Sequence, residues 1–152
     1  MSTQFLHEDL VRSLTTYWRD TFSATWLTVY PGMQDDVTRE QAWVELALPW
    51  ITDRKARTTG LQFLDFGLDV HCFSRRDDDL ARMRVMIDAV RGMLSRQIIA
   101  VRDFDLSVQP AIGYAKLSEP EVRDFSRIER SVKGRPLNHS LVSFRGLAQL
   151  VD

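Results

Sequence analysis

Residues 60–73, GLQFLDFGLDVHCF, decide the fold. Leu64, Phe66, Leu68, Val70 and Cys72 are apolar, and Asp65, Asp69 and His71 between them are polar. This two-residue alternation marks a strand with one face on a core and the other on something wet. Residues 74–94, SRRDDDLARMRVMIDAVRGML, change to helical spacing, with Leu80, Met83, Ile87, Val90 and Leu94 in one stripe. The change predicts a sheet with helices on one face and an acidic opposite face. No catalytic motif accompanies it, so function has to be argued from faces and surfaces.

Working outward, residues 5–20 read as a first helix. Leu6, Leu10, Leu14 and Trp18 recur every four residues, and Glu8 and Asp9 suit the positive helix start. Residues 24–32 read as a strand closed by the Pro31-Gly32 turn. Residues 42–50 alternate Val44, Leu46, Leu48 and Trp50 against Trp43 and Glu45, with Pro49 at a strand end or sheet edge. Residues 51–60, ITDRKARTTG, have nothing to bury and predict a mobile loop. The second helix is expected to begin near Ser74 or Asp77, with Asp77, Asp78 and Asp79 at its positive end. Residues 98–110 predict a return strand with Phe104, Leu106 and Val108 inward and Asp103, Asp105 and Ser107 outward. Residues 118–134 read as a short helix, with a strand as the alternative. Residues 138–151 read as a closing strand. The predicted architecture is a single α+β domain over residues 1–152: a four- to five-stranded, mostly antiparallel sheet with two or three helices packed on one face.

Composition narrows the class. No apolar run approaches the roughly 20 residues of a membrane span, and the first residues, MSTQFLHEDL, lack the pattern of a secretory signal. One cysteine excludes an internal disulfide framework and fits synthesis in a reducing, cytosolic setting. A formal net charge of −1 argues against a dedicated nucleic-acid binder. Arginine far outnumbers lysine, which occurs only at Lys55, Lys116 and Lys133. Either interface use of its planar, bidentate fork or a GC-rich coding sequence accounts for this.

The chain has no Gly-rich phosphate loop, no nucleophile elbow and no zinc-type Cys/His spacing. His7, His71 and His139 fall in three different elements. One constellation stands out: Glu45, Asp65, Asp69, Asp103 and Asp105 share the polar parity of their expected strands, with His71 beside them. Three readings compete. A solvated sheet face needs no function. Cross-strand carboxylates about 5 Å apart would hold Mg²⁺ or Mn²⁺ for phosphodiester hydrolysis. A carboxylate-lined wall would instead repel the DNA backbone and let it slide past. The basic run Arg54, Lys55 and Arg57 is either a solubilising loop or a docking element for an acidic partner.

The order of elements carries a resemblance. An amphipathic first helix, a long strand ending VHCFSR, the helix DDDLARMRVMIDAVRGML, a return strand and a closing HSLVSFRGLAQ resemble the phage tail terminator proteins, over nearly the whole chain. The resemblance implies a structural, non-enzymatic subunit without a cofactor. Such subunits form a homo-oligomeric ring, typically a hexamer, that caps the tail tube, stops its polymerisation and joins it to the head connector or head-closure protein. It implies a place in the virion's tail neck, assembled in the bacterial host cytoplasm, with no membrane contact and with DNA passing through without specific binding. In such a ring Glu45, Asp65, Asp69, Asp103 and Asp105 are expected to face the lumen, and Arg54, Lys55 and Arg57 to dock on a partner. Trp43, Arg82 and Arg84 are the expected subunit contacts. Two alternatives stay open at this point: another neck component, such as a head-closure or tail-completion protein, and a small metal-dependent nuclease using the acidic face.

Overall fold

The computed structural model describes residues 7–54, 62–75, 80–126 and 137–150. Helix α1 (His7–Thr21) buries Leu10, Leu14 and Trp18, four residues apart, with Glu8 and Asp9 in its first turn. Four strands follow: β1 (Leu27–Val29), β2 (Ala42–Ala47), β3 (Ile51–Arg54) and β4 (Phe63–Ser74). Helix α2 (Leu80–Leu94) then precedes β5 (Ile98–Arg102), β6 (Ala111–Leu117), β7 (Glu121–Asp124) and β8 (Asn138–Leu150).

All eight strands belong to one curled sheet of order β1-β2-β4-β8-β6-β5, with β3 beside β4 and β7 beside β8. The expected four or five strands therefore fall short. The spine is the antiparallel pair β4 and β8, matched from Phe63↔Gln149 to Ser74↔Asn138. Each is flanked by two short strands in place of one long one. Beyond β4, β3 pairs with Phe63–Phe66 and β2 with Asp69–Ser74. Beyond β8, β7 pairs with Ser140–Ser143 and β6 with Gly146–Leu150.

Both flanks divide at the same height, and glycine marks the place. Gly67 lies opposite Arg145, and Phe66 opposite Gly146. A Cβ on Gly67 would stand 2.5 Å from Nε1 of Trp50, while a Cβ on Gly146 would overlap the Phe66 ring. Each glycine thus gives up its side-chain volume to an aromatic ring, one on either face of the sheet.

The core face carries the apolar row of β4, Leu64 to Cys72, joined by Val44, Leu46, Ile99, Val101, Ala115, Leu117, Val142, Phe144 and Ala148. Against it α2 buries Met83, Met86, Val90 and Leu94. The expected stripe is rotated: Leu80 is 51% exposed, Ile87 only half-buried, and Met86 takes the inner position. Cys72 is fully enclosed, and burial pushes its thiol up to about 12, so it is an inert core residue.

Helix α1 reaches both ends of the strand order. Ser13 Oγ accepts a hydrogen bond from the Arg102 amide of β5 at 3.0 Å, and Trp18 Nε1 donates to Thr28 Oγ1 of β1 at 2.9 Å. Tyr17 Oη donates to the Met93 carbonyl of α2 at 3.1 Å. The sheet curls around the core until one helix touches its two outermost strands.

Three more expectations need correction. The strand read over residues 98–110 ends at Arg102, and the remainder forms a turn in which Leu106 is 52% and Val108 81% exposed. The ladder breaks there because the pairing slips between Val101 and Arg102, and Asp103 folds back to accept the amide of Asp105 at 3.0 Å. Within residues 118–134, β7 is a strand, because Val122 and its neighbours find a free edge of β8. Residues 51–54, expected in a loop, form β3 on the free edge of β4. The proposed helix start at Asp77 lies outside the described residues. No described helix is long and apolar enough to cross a membrane.

Candidate functional site

The site follows from the odd row of β4. Antiparallel pairing places Trp43 and Glu45 of β2, Asp65, Asp69, His71 and Phe73 of β4, and His139, Leu141, Ser143 and Arg145 of β8 on the face opposite the core. Its two ends differ in chemistry.

At one end the face is aromatic. The rings of Trp43 and Phe73 stack at 4.9 Å, those of Phe73 and His139 at 4.3 Å, and Phe125 closes on His139 at 5.4 Å. The Arg75 guanidinium lies 4.8 Å over Trp43 while donating to the Glu40 and Val37 carbonyls. His71 Nδ1 and His139 Nε2 stand 2.9 Å apart, so one imidazole donates and the other accepts. Trp43 is 4% exposed, which corrects the expectation of an exposed subunit contact: its ring is already spent within the chain. The signal in the sequence was the apolar Phe73 following Asp69 and His71 in the same row, but its ring partner His139 is more than sixty residues away.

At the other end the face is polar. Arg54 clamps Asp65, with Nε to Oδ2 at 2.9 Å and Nη2 to Oδ1 at 3.2 Å. Ser143 Oγ donates to Asp69 at 2.9 Å, whereas Glu45, opposite His71 near the aromatic end, accepts from Trp43 Nε1 at 3.2 Å. An open groove of about 530 Å³ runs over Gly67, Asp69, Ser143 and Arg145, walled by Trp50 on one side and by Glu121 and Arg123 on the other. Within that wall Arg123 and Glu121 pair at 2.9 Å.

Of the five acidic residues expected on one surface, the structure brings three to the sheet face. Asp103 and Asp105 sit instead in the β5–β6 turn, because their strand ends before them. Asp65 and Asp69 are four residues apart along β4, a rise of roughly 13 Å, so they cannot share one ion. Among the described residues no group of three or more His, Cys, Asp or Glu could hold a metal. On α2, Arg84 is exposed and Arg82 half-buried. Lys55 and Arg57 lie outside the described residues, and only Arg54 of the expected docking loop is placed.

Comparison with protein-family models finds no match, and comparison with curated proteins finds none either.

Proposed function

We propose that the chain is a structural subunit of a phage neck ring of the tail-terminator kind, which caps the tail tube, ends its polymerisation and joins it to the head connector. One observation carries the reading: the two helices pack on one face of the sheet, while Glu45, Asp65 and Asp69 emerge on the other. Turned toward the axis of a ring, that face lines a channel. Carboxylates there repel the phosphate backbone, so DNA passes without being gripped. Asp65 is offset by Arg54, whereas the donors to Glu45 and Asp69 are the neutral Trp43 Nε1 and Ser143 Oγ. Asp103 and Asp105 are not part of this lining, since the face that carries the other three does not include their turn. The role needs no cofactor and no reaction, only faces for its own copies, the tube and the connector.

Purified tail-tube protein polymerised with and without the chain tests the reading. Tubes capped and limited in length by the chain support it. Tubes of unchanged length, with no chain bound at their ends, overturn it.

A further inference from the structure

Two unlike surface features sit at the two ends of α1. Near its first half lies the turn between β5 and β6. There Val108 is the most exposed large apolar residue among those described, at 81%, and Leu106 in the same turn is 52% exposed. The turn is a defined knob. The Gln109 amide donates to the Leu106 carbonyl at 3.0 Å, and Gln109 adopts a φ of 44°. The Arg12 guanidinium covers Phe104 from 4.6 Å. Asp103 and Asp105 flank the knob, and Arg102, the cation in the same turn, donates to the Gln109 carbonyl at its base.

Past the other end of α1 lies an open aromatic groove of about 310 Å³, lined by Trp18, Phe22, Trp26 and Tyr30 with Arg19 at its rim. Phe22 stacks on Trp18 at 4.4 Å and leans toward Trp26 at 6.2 Å. The groove borders β1, which has β2 on one side and, among the described residues, no strand on the other. Arg19 meets Asp20 only at 3.7 Å, with both side chains about two-thirds exposed.

We propose that the β5–β6 turn of one copy seats in the aromatic groove of the next, Leu106 and Val108 against Phe22 and Trp26, with Asp105 beside Arg19. This names the contact that would build the ring proposed above and rests on that reading. Apolar meets aromatic, and carboxylate meets guanidinium. The two patches differ and lie on opposite edges of the strand order, so the contact is head-to-tail. Repeated by rotation it closes a ring from one chain. A preformed turn and half-buried rings lose little freedom on docking.

Charge exchange tests it, read by native mass measurement. Arg19→Glu alone sets two carboxylates against each other across the contact, and Asp105→Arg alone sets two guanidinium groups there. Both variants should lose assembly, by about tenfold or more in affinity per contact. Mixed together they should alternate and regain rings with an even number of subunits, because every contact then pairs opposite charges. Val108→Asp should lose assembly without rescue. Unchanged far-ultraviolet circular dichroism confirms that each variant is folded. Rings that form equally well from every single variant overturn this contact and leave the ring reading standing, as does a mixture that fails to recover. A wild-type chain that stays monomeric as concentration is raised and in the presence of tail tubes overturns both.

Discussion

Arg54 holds Asp65 with two nearly parallel hydrogen bonds across the β3–β4 ladder, 2.9 Å and 3.2 Å long. From sequence these residues belong to different tasks, one to a basic docking loop and the other to an acidic wall. In the fold they neutralise each other at the rim of the open face. The pair is partly solvated, with side-chain exposures of 58% and 29%. A double-mutant cycle on Arg54→Ala and Asp65→Asn should therefore return no more than about 1 kcal/mol of coupling, falling as salt is added. A salt-independent coupling of several kcal/mol would contradict this account of the rim.

The two glycines at the centre of the sheet should respond unequally. Gly146→Ala drives a methyl group into Phe66, which is fully buried and has no room to retreat. The cost should be about 1–3 kcal/mol. Gly67→Ala meets Trp50, which is 42% exposed and free to swing away, so it should cost less. Urea unfolding of the two variants checks the order, and a reversed order would count against the ring-on-glycine packing.

The α2 packing gives a sharper contrast. Met86→Ala removes a fully buried side chain and should cost about 2–5 kcal/mol, as should Leu68→Ala in the same core cluster. Leu80→Ala, at a half-exposed position, should stay within about 0.5 kcal/mol. Equal losses at Leu80 and Met86 would restore the helix orientation expected from the sequence alone.

Cys72 provides a probe of core opening. Burial pushes its thiol up to about 12, so the nucleophilic thiolate is scarce at neutral pH and the sulfur is enclosed. Alkylation by iodoacetamide should be negligible in the folded chain and rapid in denaturant. Rapid labelling of the native protein would show that β4 is not the central strand described.

What could be read in advance followed from local periodicity. The alternation of residues 63–74 and the apolar row of α1 are properties of contiguous sequence, and both elements form as their patterns predict. The sheet's real size was not legible. The strands β3, β6 and β7 are short, and each exists because a long neighbour offers an unpaired edge. Alternation also misled where the pairing slips after Val101, carrying Phe104, Leu106 and Val108 out of the core and Asp103 and Asp105 off the acidic face. The parity argument held where strands persist, at Glu45, Asp65 and Asp69. It had no means of seeing that Trp43, Phe73 and His139, drawn from three strands, would bury one another on the polar side.

The ring is the central claim, and the mass of the intact assembly tests it most directly. Native mass spectrometry of the purified chain should give a closed oligomer at a single whole-number multiple, six, of the 17.6 kDa subunit. A 17.6 kDa species alone, persisting as concentration is raised and in the presence of tail tubes, would contradict it.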